Sequence, residues 1–190
     1  MRATAARTAP APDPWAAIHD PAVPLVVEEG APPSELWVEA LLASAPFAWR
    51  ATGAADEVAD LFPEAPAPLR ARIAALTERF SALMGAPILT VRVEGVTGNA
   101  CTRMHADFTD VRLILTLAGP GTEHWGGDDP MAPIQQLPAG YIGLFKGRTY
   151  PGTGRARHAP CLHRSPPIEG TGARRLMLVI DTVREEALPG

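Results

Sequence analysis

Lysine is nearly absent. The 190 residues carry 17 lysines and arginines together, and Lys146 is the only lysine. No basic block occurs, aromatic residues make up 6% of the chain, and the formal net charge is −4. The phosphate-binding and base-stacking surfaces of a nucleic-acid partner are therefore missing, and none is expected. No apolar run approaches the length of a membrane span, so no membrane association is expected either. Met1 to Pro10 has no apolar centre of the kind a secretory signal needs, and the expected compartment is the cytoplasm. With two cysteines, Cys101 and Cys161, there is no disulfide framework.

What is present is ordinary in bulk and uneven in order. Hydrophobic content is 46% and charged content 20%, which fits one globular domain with a substantial core. Residues 1–14, with Pro10, Pro12 and Pro14 among small residues, form a flexible lead-in. Residues 15–86 are expected to be mainly helical, after a short strand at Leu25–Val27. Ser34 is placed to cap a helix with Glu35 in its first turn, with Leu36, Trp37, Ala40 and Leu41 on one face and Pro46 ending it. Asp56 to Leu61 reads as one or two helical turns. The clearest helix is Leu69–Met84, where Leu69, Ile73, Leu76, Phe80 and Leu83 recur at spacings of three and four and Gly85 follows as the stop.

After Pro87 the period changes from helical to extended. Apolar, β-branched runs recur at Ile88–Val93, Val111–Ala118, Ile134–Leu137, Tyr141–Phe145, His158–His163 and Leu176–Ile180, with glycine- and proline-rich turns between them. Short strands without intervening helices predict an antiparallel barrel or jelly roll over residues 87–184. The fold class is thus α+β, mainly β, with the jelly-roll core braced by the N-terminal helices.

The chemistry concentrates at His105-x-Asp107. In an extended chain, residues two apart face the same side, so an imidazole and a carboxylate meet at one point. Such a pair is a weak pattern alone. It gains weight from a strand directly after it and from a third candidate ligand, His163, ahead of another strand. Two histidines and a carboxylate form the facial set used by non-haem Fe(II) oxygenases. For His163 the alternative is a structural histidine at the rigid Ser165-Pro-Pro167 bend. Cys161 shares strand parity with His163, their β-carbons about 7 Å apart, and is a candidate extra ligand. A thiolate there would favour zinc over iron, whereas an unliganded cysteine is commonly a buried small hydrophobe.

His105-x-Asp107, His163 and an arginine shortly afterwards resemble the 2-oxoglutarate-dependent Fe(II) oxygenases. That resemblance implies a double-stranded β-helix, iron held by His105, Asp107 and His163, and 2-oxoglutarate as co-substrate, its distal carboxylate anchored by an arginine on the last strand. Arg175 fits that role best, Arg174 is the reserve, and Lys146 is a candidate assistant whose plainer reading is a solvent-exposed strand end. The planar fork of an arginine grips a carboxylate through two parallel hydrogen bonds. Met104-His-Ala-Asp107, Arg112-Leu-Ile-Leu-Thr-Leu, Gly119-Pro-Gly-Thr122, His163-Arg-Ser-Pro-Pro167 and Arg175-Leu together also resemble an uncharacterised bacterial family of similar length, associated with metal-handling genes. The implied activity is hydroxylation of a small molecule or a protein side chain. The competing reading is a non-catalytic zinc- or iron-binding protein using the same His/Asp/His site, and a third is a metal-free binding module.

Overall fold

The computed structural model describes residues 13–125, 133–151 and 160–183. Of the expected lead-in, residues 1–12 lie outside that range, while Asp13 caps and Pro14 begins a 3-10 helix, Pro14–His19, with Asp13 Oδ1 accepting from the Trp15 amide at 2.9 Å. Trp15 and Ile18 of this turn are fully buried.

Among the described residues, nine strands and two α-helices follow. They are β1 (Leu25–Glu28), α1 (Leu36–Ser44), β2 (Phe47–Ala54), α2 (Ala67–Met84), β3 (Ile88–Val96), β4 (Val111–Ala118), β5 (Glu123–Trp125), β6 (Ile134–Gln136), β7 (Ile142–Lys146), β8 (His163–Arg164) and β9 (Arg175–Thr182), with a 3-10 turn at Val58–Leu61. The larger sheet runs β1-β7-β4-β9-β3-β2, the smaller β6-β5-β8. All their pairings are antiparallel.

Helix α2 starts two residues earlier than expected, because Pro68 sits in the first turn, where its missing N–H costs nothing. It ends where Gly85 adopts φ 61°. Helix α1 differs more. Glu35 rather than Ser34 occupies the capping position, with no side-chain cap. Its buried residues are Val38 and Leu41, while Leu36 is 82% exposed. The expected face was therefore rotated, since a nine-residue helix supplies too few apolar positions to fix one.

The chief omission is β2. Phe47, Trp49 and Ala51 alternate with exposed residues, and the strand pairs along its whole length with β3, from Phe47 opposite Gly95 to Ala54 opposite Ile88. The sheet thus draws β1 and β2 from the N-terminal half. At the other end β8 is His163–Arg164, so only His163 of the expected 158–163 strand is in it, and residues 158–159 lie outside the described residues.

Strand alternation divides the larger sheet into two faces. Val111, Leu113, Leu115 and Leu117 of β4, with Leu176, Leu178 and Ile180 of β9, join Leu69, Ile73 and Phe80 of α2 in the main core. On the opposite face Ile114, Phe145, Met177 and Val179 pack with Leu137 and Cys161 from beside the smaller sheet. That second face carries the site. No helix among the described residues is long and apolar enough to cross a membrane.

Candidate metal centre

His105 and His163 are joined by a single β-bridge, the amide of each donating to the carbonyl of the other at 3.0 and 2.9 Å. The loop between His105 and β4 is fastened to the segment after β7. The amides of Gly147 and Arg148 each donate at 2.8 Å, to the carbonyls of Asp110 and Asp107. A β-carbon at Gly147 would collide with the Thr109 carbonyl, so only glycine permits this approach.

The bridge and the loop bring three side chains together. Ligand atoms of His105, Asp107 and His163 all lie within 4.8 Å of one another. His105 Nε2 is 3.6 Å from Asp107 Oδ1, and His163 Nε2 is 3.0 Å from Oδ2. Each ring is held from behind. His105 Nδ1 lies 2.9 Å from the Arg103 carbonyl, and His163 Nδ1 lies 3.3 Å from that of Cys161. A carbonyl oxygen only accepts, so each ring carries a proton on Nδ1 and turns Nε2 towards the carboxylate, where it can donate when the ring is protonated or ligate an ion when it is not.

That arrangement explains an otherwise costly feature. Despite the 3.0 Å approach of His163, Asp107 Oδ2 is buried and has no aligned hydrogen-bond donor among the described residues. A buried carboxylate oxygen between two imidazoles calls for positive charge, which protonated rings supply in the metal-free protein and an ion would supply in their place. Two nitrogens and one oxygen suit Fe(II) or Zn(II), and the residues fit either ion. Burial pushes the Asp107 carboxyl up, but His163, Arg112 and His105 outweigh it and hold the group below its ordinary value.

Arg112 Nη1 meets Asp107 Oδ1 at 2.6 Å, while its Nε and Nη2 donate to Asp181 at 2.7 and 2.9 Å. Burial pushes Arg112 down, yet Asp181 and Asp107 keep it above its usual value. A cavity of about 290 Å³ opens beside the triad, floored by Ile114, Met177 and Val179, with Thr122, Arg164 and Cys101 on its walls. Behind Thr122 lies Arg175, fully buried. Its Nε donates to the Pro120 carbonyl at 2.6 Å and its Nη2 to Thr122 Oγ1 at 3.3 Å, leaving Nη1 with no partner among the described residues. Burial pushes this guanidinium down to about 10, against the weaker pull of Glu94 and Glu123.

Three sequence expectations need correction. Arg174 faces away, its Nη1 donating to the carbonyls of Leu42 and Ala43 at 2.8 and 3.0 Å, where it caps α1. Lys146 is neither near the triad nor in solvent. It is buried in the helical face, with Nζ donating to the Asp20 carbonyl at 2.7 Å. Cys161 is outside the ligand group and packs in the apolar cluster with Phe145 and Met177. Arg112, Asp181 and Thr122 were missed as site residues. The one signal for the first two was a charge embedded in, or ending, an apolar strand.

A family model described as "Protein of unknown function (DUF1826)" matches residues 14–181. No curated protein matches in sequence. Among solved structures, a dioxygenase for auxin oxidation from rice aligns with a TM-score of 0.56 at 14% identity, covering 92% of this chain and 82% of its own. Dioxygenase for auxin oxidation 1 from Arabidopsis thaliana, in a binary complex with 2-oxoglutarate, gives 0.52 at 14%, covering 80% and 73%. A viral collagen prolyl hydroxylase from Paramecium Bursaria Chlorella virus-1, a 2-oxoglutarate complex, gives 0.51 at 14%, covering 85% and 97%. At such identities the likeness is one of fold.

Proposed function

The chain belongs to the DUF1826 family, whose description names no activity, and from its site we propose that it is an Fe(II)- and 2-oxoglutarate-dependent oxygenase that hydroxylates a small molecule or a protein side chain. The observation that carries this is the convergence of His105, Asp107 and His163 within 4.8 Å. In this reading the two sheets are the walls of a double-stranded β-helix, with the His105–His163 bridge extending the smaller one. The fold shared with 2-oxoglutarate complexes supports it. The two unbridged cysteines agree with a cytoplasmic location.

His105, Asp107 and His163 hold the iron, and Arg175 receives the distal carboxylate of 2-oxoglutarate. A buried guanidinium with one free nitrogen and no acid in contact among the described residues is a prepared anion site. Thr122 Oγ1 holds the fork in place. Ile114, Met177 and Val179 give the cavity an apolar part beside the charged groups Arg92, Glu94 and Arg164. The bound iron and co-substrate supply the oxidation, in which one atom of dioxygen enters a substrate C–H bond and the other enters succinate as carbon dioxide leaves.

The test is anaerobic addition of Fe(II) and 2-oxoglutarate, followed by visible spectroscopy. A weak charge-transfer band should appear, vanish in His105→Ala and weaken in Arg175→Ala, and air should then yield succinate. Tight zinc retention with neither band nor succinate would instead make this a metal-holding protein.

A further inference from the structure

Arg112 spends its whole guanidinium on two carboxylates. Nη1 holds Asp107 Oδ1 at 2.6 Å, and Nε with Nη2 grips both oxygens of Asp181 at 2.7 and 2.9 Å. Arg112 and Asp181 are direct cross-strand partners in the centre of the larger sheet, on β4 and β9. Asp181 has a further cationic neighbour, Arg92 Nη2 at 3.9 Å. Asp107, by contrast, sits in a loop with no regular structure of its own. A rigid sheet therefore reaches up and fixes one oxygen of a loop carboxylate.

A carboxylate serving only the fold would be satisfied at both oxygens. Asp107 is satisfied at one. Oδ2 is buried with no aligned donor among the described residues, and it faces His163 Nε2 at 3.0 Å.

We propose that Arg112 is a positioning residue that makes Asp107 a one-oxygen ligand through Oδ2, and that Asp181 acts through Arg112. The inference rests on the metal-centre reading above. Tying up Oδ1 prevents Asp107 from chelating the ion with both oxygens, which keeps coordination positions free for co-substrate. It also presets the ligand before the ion arrives, so less ordering remains to be done on binding.

Co(II), added to the metal-free full-length protein, serves as the probe. Its affinity is read by titration and its coordination by the intensity of the visible d–d bands, which fall as coordination number rises. Arg112→Gln should weaken Co(II) binding by about 10- to 100-fold, the usual effect of removing a partner of a metal ligand. Its bands should also be weaker per bound ion, because the released carboxylate takes a second position. A purely structural role would leave the spectrum of the bound ion unchanged. Asp181→Asn should shift both readouts in the same direction, less strongly. The double variant should bind no worse than Arg112→Gln alone, because the two changes share one route.

Triad-dependent Co(II) binding whose affinity and spectrum are unmoved by Arg112→Gln overturns this inference and leaves the centre standing. If Arg112→Gln does not fold, an unchanged spectrum and affinity in Asp181→Asn overturns it. Wild-type protein that takes no Co(II), or takes it equally well as His163→Ala, overturns the centre and this inference together.

Discussion

Arg174 and Arg175 are neighbours in sequence and serve opposite faces of the larger sheet. The first caps α1 through the Leu42 and Ala43 carbonyls, and the second is buried behind Thr122 with one nitrogen free. Arg175→Met should raise the dissociation constant for 2-oxoglutarate at least tenfold, roughly the 1.4 kcal/mol of one charge-assisted contact, while metal affinity persists. Burial has pulled Arg175 down to about 10. That desolvation cost is opposed by its bonds to the Pro120 carbonyl and Thr122 Oγ1, so the melting temperature of this variant should stay close to that of wild type. Arg174→Ala should leave the co-substrate titration unchanged and cost about 1 kcal/mol by thermal melting.

The same division separates Phe145 from Lys146. The Phe145 ring lies 4.7 Å from that of His163, whereas Lys146 Nζ reaches the Asp20 carbonyl at 2.7 Å and sits 4.7 Å over Tyr150. Lys146→Met should therefore destabilise the protein by about 1–2 kcal/mol in urea. Binding of metal and 2-oxoglutarate should stay within twofold of wild type. A selective loss of 2-oxoglutarate binding would restore Lys146 as part of the anchor.

Local patterns were legible, and relations across the sheet were not. The Val111–Ala118 run matched β4 at both ends, because eight residues of which all but Arg112 are apolar or β-branched have few other uses. His105 and Asp107 were legible because two residues of separation is a local constraint, and the bend that follows is held by Gly147. The β2 alternation of Phe47, Trp49 and Ala51 was present in the sequence, but half-buried edge residues give a faint contrast. The pairing of Arg112 with Asp181 spans 69 residues and depends on the register of β4 against β9, which no stretch of sequence contains. The burial of Lys146 depends on a 3-10 turn more than a hundred residues earlier, and strand-end position alone argued for solvent.

Asp107 links the site to acid stability in the metal-free protein. Its carboxyl is held below 3.8, so ionised Asp107 contributes stability that is fully present above that value. The contribution disappears as the pH falls through the lower, folded-state value. Between about pH 5 and pH 2, the urea midpoint of wild type should fall more steeply than that of Asp107→Asn. Parallel curves would mean that the cations around Asp107 do not hold it ionised.

The two cysteines should separate cleanly by reactivity. Cys161 is 2% exposed, and burial pushes its thiol up to about 12, so almost no thiolate is present at pH 8. Cys101 is exposed, with its sulfur 3.5 Å from His105 Nδ1, on the side of the ring turned away from the carboxylate. Iodoacetamide under native conditions should alkylate Cys101 alone by mass spectrometry, and Cys161 should react only after unfolding. Cys161→Ala should cost about 1 kcal/mol of stability through lost packing and leave Co(II) affinity unchanged. Native labelling of Cys161 at the rate of Cys101, or a fall in Co(II) affinity in Cys161→Ala, would return that thiol to the ion and shift the balance of donors towards zinc.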